Sequence, residues 1–213
     1  MIDRSSSDWT DYYKWTAHRP PRRTTLTALA ALPEKSVGTT SHALDLGAGA
    51  GRDTAPMLEA GLSVLAIDTA PEAGPTLKRR FPEPWRDGRL TFKVADFAKD
   101  DLDLPFATLI NASFCLPMCP SRRFDGLWNS INSALAPGGL FAGHLYGPRD
   151  SWARRGDGLT IHTRNDAEAL FAAWRVLLFE EEESDSITPR GNLKHWHVFH
   201  IVAHKSRAEI STP

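Results

Sequence analysis

Cysteine is scarce in this 213-residue chain, with Cys115 and Cys119 the only two. Two cysteines cannot build the disulfide framework of a small secreted domain. Cys-x-x-x-Cys without a further cysteine or a well-placed histidine is also an incomplete zinc set, so both read as packing residues and no metal is expected. Charge of one sign is lacking as well: 25 Lys+Arg stand against 26 Asp+Glu, a net charge of -1. That balance excludes bulk attraction to nucleic acid or to an anionic membrane surface. No apolar run approaches the roughly 18 residues of a membrane span. Residues Met1 to Thr10 are polar, unlike a signal peptide. The expectation is a cytoplasmic protein, monomer or homodimer, with neither nucleic acid nor membrane as partner.

Hydrophobic residues make up 41% of the chain and charged residues 24%, enough apolar material for one domain with its own core. After an irregular start, strand and helix patterns alternate. His42–Leu46, Ser63–Ile67, Leu90–Ala95, Ala107–Ala112 and Leu140–Tyr146 read as strands. Arg52–Glu59, Glu72–Phe81, Arg122–Leu135 and Asn165–Ala173 read as helices, and Thr24–Leu32 as a short helix ended by Pro33. Such alternation implies crossover connections and a parallel sheet covered on both faces. Val176–Phe179 and His195–His204 break it. Only a loop, Ser184 to Lys194, lies between them, which predicts an antiparallel last strand. The fold class expected is α/β: a Rossmann-like, seven-stranded mixed sheet with helices on both faces, in one domain over 41–205. Residues 1–40 form an N-terminal extension and 206–213 a tail.

The sharpest signal is Leu44-Asp45-Leu46-Gly47-Ala48-Gly49-Ala50-Gly51-Arg52-Asp53. A strand that ends in glycines and opens a helix lets backbone approach a ligand where side chains would collide. Asp68 ends the second strand, placed to accept hydrogen bonds from ribose hydroxyls, with Thr69 beside it. Asp96 follows the third strand, placed to meet an adenine amino group. Nicotinamide dehydrogenases use a similar turn, so an NAD(P)-dependent oxidoreductase stays open. So does a cofactor-binding regulator without catalysis. Three details favour S-adenosylmethionine: the Gly-x-Gly-x-Gly spacing, the acid Asp45 inside the first strand, and the antiparallel final strand.

With "ALDLGAGAGRDT", "VLAID", "VADF", "LAPGGLFAGHLYGPRDSW" and "KHWHVFHIVAHK", residues 40 to 205 resemble the class I S-adenosylmethionine-dependent methyltransferases, and within them the small tellurite-resistance-type branch. The resemblance implies an enzyme that methylates a small molecule. It implies cofactor contacts at Asp45, Gly47, Gly49, Asp68 and Asp96 and at the Phe97 backbone, with Ala48 and Asn111 alongside. Ala48 stands where the branch often has cysteine. The N-terminal aromatics Tyr12, Tyr13 and Trp15 resemble a lid over the cofactor and substrate.

In an open α/β sheet, ligands lie at the carboxyl ends of the parallel strands. Phe114 leaves strand four there, and His144, Tyr146, Arg149 and Trp152 leave strand five. His144 and Tyr146 are the candidate catalytic pair. An antiparallel last strand begins at the same edge, so His195, Trp196 and His197 are expected to face the cleft, overhung by a loop carrying Arg190. The aromatics favour an organic acceptor over an oxyanion, for which Arg149 and Arg190 are the only arginines in view. Strand four ends Asn111-Ala112-Ser113-Phe114, without the Asn-Pro-Pro-aromatic arrangement of nucleic-acid base methylation.

Overall fold

The computed structural model describes residues 13, 15–33, 41–153, 158–188 and 191–206. Tyr12 and Arg190 lie outside the described residues. The strands β1 (His42–Leu46), β2 (Ser63–Asp68), β3 (Leu90–Val94), β4 (Ala107–Ala112), β5 (Leu135–Tyr146), β6 (Trp174–Ile187) and β7 (Leu193–Lys205) form one seven-stranded sheet in the order β3-β2-β1-β4-β5-β7-β6. The first five run parallel, and β7 is antiparallel to both β5 and β6. The chain therefore has the Rossmann-like architecture its strand and helix alternation predicts.

Alternation along the strands sorts the core into two layers. Leu44, Leu46, Ile110 and Phe141 point to one face, where helices α5 (Ser121–Ala134) and α6 (Arg164–Leu170) bring Phe124, Trp128, Ile131 and Ala167. Ala43, Leu109, Leu140, Ala142 and Val202 point to the other, against α1 (Arg23–Ala31), α2 (Thr54–Glu59) and α3 (Ala73–Arg80), which contribute Ala28, Met57 and Leu77. A short α4 (Pro82–Arg86) follows α3. Asp45, Asn111 and His144 fall in step with Ala43, Leu109 and Ala142, so all three face the α1–α3 layer.

Two boundaries depart from expectation. Strand β5 starts at Leu135, because Pro137-Gly138-Gly139 is absorbed as a bulge: Ala107 pairs with Leu135 and Leu109 with Leu140. The expected loop from Ser184 to Lys194 is mostly strand, with Ser184 paired to Trp196 and Ile187 to Leu193. The acidic run Glu180–Glu183 belongs to β6 for an electrostatic reason. Arg149 and Arg164 pair with Glu181, Arg149 also with Glu183, Arg23 with Glu180, and His200 with Glu182. No described helix is long and apolar enough to cross a membrane.

Phe141 is 1% exposed and its ring meets Trp128, Phe171 and Trp174 at centroid distances of 5.5 to 6.3 Å. Phe141→Ala should cost about 3–5 kcal/mol of stability, read by urea denaturation. A loss below about 1 kcal/mol would contradict this packing.

Candidate cofactor and acceptor site

The turn after β1 is a chain of left-handed glycines, Gly47 at φ 70°, Gly49 at φ 53° and Gly51 at φ 78°. A side chain at Gly47 would press on Cys115, whose Cβ lies 2.5 Å from the position a Cβ would take. The Gly47 and Ala48 amides both donate to the Ile67 carbonyl, at 2.8 and 3.1 Å. These two residues thus anchor the turn to β2 with their own backbone amides. Gly49 differs. Its amide donates to Asp68 Oδ2 at 2.8 Å, and its open face lies under the Tyr13 ring, 3.1 Å from where a Cβ would stand.

Asp68 is the hub of this corner. Besides Gly49 it accepts the Ala70 amide at 3.0 Å and the Tyr13 phenol at 2.9 Å. Burial raises its pKa, and those three donors act against the rise. Thr69 beside it is exposed. Asp96 caps its own turn, accepting the Ala98 amide at 2.9 Å and pairing with Lys99. Phe97 is half-buried, and its carbonyl accepts the Cys119 thiol at 3.5 Å. Trp15 is 49% exposed.

Beneath the glycine turn lies a buried polar chain. Asp45 is 1% exposed; its Oδ2 accepts the Thr54 hydroxyl at 2.5 Å and its Oδ1 accepts the Asn111 amide at 2.8 Å. Asn111 in turn accepts the Thr25 hydroxyl at 3.0 Å and the Ser113 hydroxyl at 3.1 Å. Burial pushes the Asp45 carboxyl up to about 7, with the nearby Asp53 charge adding to the rise and the Thr54 and Asn111 bonds opposing it. Thr25 and Thr54 have no sequence signature beyond their place in α1 and α2.

The residues expected on the acceptor side gather around Phe114. At φ 58° it is the one described non-glycine residue in the left-handed region, a conformation held only where the surroundings fix it. Its ring stacks on His144 at 4.0 Å, meets Tyr146, Trp196 and His200 edge-on, and carries the Arg22 guanidinium 4.2 Å above it. Trp152 extends the wall, 6.0 Å from both Tyr146 and Trp196. The Lys194 ammonium sits 4.1 to 5.0 Å from the Trp196, Trp152 and Tyr146 rings and forms a fully buried ion pair with Asp150. Tyr146 is thereby a wall of the cluster, 2% exposed against an ammonium. His144 is 2% exposed, and its Nδ1 has no hydrogen-bond partner among the described residues. Burial, then the His200, Arg22 and Arg52 charges, hold its pKa well below the usual histidine range. A cavity of about 290 Å³ opens here, lined by His144 and His200 of the sheet and by Arg22, Arg23 and Arg52.

The three residues expected together from β7 are split by the strand's own alternation. Trp196 joins the aromatic wall. His195 and His197 point to the opposite face: His197 Nε2 lies 2.7 Å from Glu181, and His195 bonds Asp185 and Glu183. Arg149 joins them there, bonding Glu181 and Glu183, and its amide donates to His197 Nδ1 at 3.1 Å. These three tie β6 to the sheet and stand outside the acceptor cluster.

With this geometry in place, residues 43–139 match the family profile described as "Methyltransferase domain". Over that span the sequence is similar to methyltransferase domains. Its fold is shared with solved structures of low sequence identity. TehB from Haemophilus influenzae is 14% identical with a TM-score of 0.67, over 86% of this chain and 61% of that one. An S-adenosylmethionine-dependent methyltransferase from Methanosarcina mazei is 17% identical, TM-score 0.64, over 89% and 100%. The 1,6-didemethyltoxoflavin-N1-methyltransferase of Burkholderia thailandensis, solved with its substrate and S-adenosylhomocysteine, is 23% identical, TM-score 0.58, over 94% and 87%. No curated protein sequence matches the chain.

The ionisation of Asp45 gives a test of the polar chain under the glycine turn. A carboxyl raised in the folded state contributes stability at acidic pH that is lost as pH rises through its folded pKa, here about 7. Asp45→Asn removes that dependence. The stability of the variant relative to wild type, by urea denaturation, should therefore rise between pH 5 and pH 8 by an amount on the order of a few kcal/mol. A pH-independent difference would refute it.

Proposed function

We propose that this methyltransferase transfers the methyl group of S-adenosylmethionine to a small organic acceptor bound beside His144. The carrying observation is Asp68, which accepts both the Gly49 amide and a hydroxyl, that of Tyr13, at the rim of the glycine turn. A carboxylate that already takes a hydroxyl there fits the sugar of an adenosine cofactor. Gly49 leaves a flat face that Tyr13 now covers. On this reading Tyr13 is a lid residue whose phenol yields its place on Asp68 when the cofactor enters.

Bound there, S-adenosylmethionine supplies an electrophilic methyl carbon. The remaining work belongs to the chain: aligning the nucleophile, excluding water and removing a proton. Phe114, Tyr146, Trp196 and Trp152 give a flat, apolar wall suited to an organic acceptor. His144 Nδ1, which has no partner among the described residues, offers a ring nitrogen for the acceptor's proton, of a basicity that burial lowers. The likeness of fold to the 1,6-didemethyltoxoflavin-N1-methyltransferase, whose structure holds 1,6-didemethyltoxoflavin, agrees with that wall.

S-adenosylhomocysteine should bind the protein with a Kd in the micromolar range by calorimetry, while NAD gives no heat. Asp68→Ala should weaken that binding at least about tenfold, the loss expected of a charge-assisted hydrogen bond. Unchanged affinity, or binding of NAD alone, would overturn the cofactor assignment.

A further inference from the structure

We infer that the proton released by the acceptor comes to rest on His200, whose ring Glu182 orients in the cavity beside His144. This rests on the methyl-transfer reading and extends it by a residue that the sequence pattern does not single out. His144 alone is a poor resting place for a proton. Among the described residues its ring bonds no carboxylate, and burial, His200, Arg22 and Arg52 all oppose its cation. His200 stands opposite it across β5 and β7, the two rings edge to face at a centroid distance of 5.0 Å. Both line the space of about 290 Å³ that also reaches Arg52, where the glycine turn ends.

The register of the last two strands builds the dyad. Glu180 lies directly across from His200 but is taken by Arg23. Glu182, two residues on and therefore on the same face, places Oε2 at 2.8 Å from His200 Nε2. The Ser184 hydroxyl donates to its other oxygen at 2.5 Å. Ser184 first, then His200, hold the Glu182 carboxyl below its usual range against burial, so it is a carboxylate at neutral pH and can only accept. Nε2 therefore carries the hydrogen and Nδ1 the lone pair. Nδ1 bonds no described residue, and unlike His144 Nδ1 it is not sealed from solvent. An imidazole whose far nitrogen is fixed by a carboxylate, itself fixed by a hydroxyl, is set up for proton transfer. Burial draws the His200 pKa below the usual histidine value and Glu182 opposes the fall, so the ring is neutral before transfer and faces a carboxylate after it. The Arg23 and Arg22 charges weigh against the cation; Glu180 offsets the first, and the Asp53 carboxylate lies at the Arg22 amide. In the transfer, the acceptor's nitrogen or oxygen gains the methyl carbon as the methyl–sulfur bond breaks and leaves its electron pair on sulfur. The acceptor's N–H or O–H bond breaks, and its proton is held at His200 Nδ1 until water takes it.

The test uses the full chain saturated with S-adenosylhomocysteine and para-nitrophenol as the probe, a flat O–H acid whose colour reports loss of its proton. On the protein the phenol should ionise at a pH at least about one unit lower than in free solution, roughly a tenfold gain. Nitrogen NMR of histidine-labelled protein should show the hydrogen on His200 Nε2 before addition and an imidazolium at His200 after it. His200→Gln and Glu182→Gln should each remove most of the pH shift, and Glu182→Asp should restore part of it, with S-adenosylhomocysteine affinity as the check that each variant folds. An imidazolium signal on His144, or on neither ring, overturns the proposal. So does a phenol that binds un-ionised or not at all, or a shift indifferent to both substitutions. If S-adenosylhomocysteine itself fails to bind, the methyl-transfer reading falls, and the His200 signals of the cofactor-free protein with the phenol still decide the dyad.

Discussion

The site depends on one buried carboxylate and what surrounds it. Asp45 sits inside the first strand with nowhere to place a charge except against Thr54 and Asn111, and Asn111 passes the connection to Thr25. Four residues from β1, α2, β4 and α1 thus share one run of hydrogen bonds beneath the glycine turn. Leaving any one of them unpaired in this interior would cost about 1–3 kcal/mol. The satisfied chain therefore fixes how α1 lies on the sheet. Because Arg22 and Arg23 stand at the start of α1, the same constraint decides which side chains reach the cavity beside His144. A second clamp reinforces it: the Arg22 amide donates to Asp53 at 2.7 Å, tying the helix start to the segment after the glycines.

Much of this could be read from the sequence. The order of strands and helices follows from hydrophobic periodicity and glycine punctuation, and the reversal of the last strand follows from the absence of a crossover helix before it. The glycine turn and Asp68 are local features: strand, turn and the next strand's end lie close in sequence, so their meeting requires only one βαβ unit. The acceptor side is assembled from distant pieces and was less legible. Arg22 and Arg23 stand in a proline-interrupted stretch with no periodicity that assigns them a face. His200 lies well inside the last strand, and only its pairing with His144 across β5 and β7 brings it to the cavity. His195, Trp196 and His197 begin the same strand at the same edge, but period-two alternation separates neighbours onto opposite faces. Edge position indicates which end of the sheet a residue occupies; the register with β6 decides the face.

That register also explains the acidic run. Four consecutive glutamates on an edge strand suggest a solvated rim that discourages strand addition. Here they alternate between two tasks. Glu181 and Glu183 hold Arg149 and Arg164 on one face, with His195 and His197 closing the ladder, and the Glu181 carboxyl is drawn down to about 2 by His197 and the two arginines. Glu180 and Glu182 face the other way and border the acceptor cavity. Exposed pairs of this kind contribute little each. Their number along a 14-residue strand matters more for fixing which residues of β6 oppose which of β7.

Lys194 and Asp150 show the same logic applied to an apolar surface. An ion pair this deeply buried gains little net stability over a hydrophobic pair of equal size, so its presence at the acceptor wall calls for another reason. Asp150 also accepts the Trp152 and His197 amides, at 2.9 and 3.2 Å, and the ammonium lies against three aromatic rings. The pair therefore pins the segment after β5 to the start of β7 and sets the angle at which Trp152 and Trp196 meet. A hydrophobic substitute could fill the volume but would not direct those amides. With that ammonium behind Tyr146, Trp152 and Trp196 and the Arg22 guanidinium over its own ring, Phe114 is held in its strained conformation from both sides.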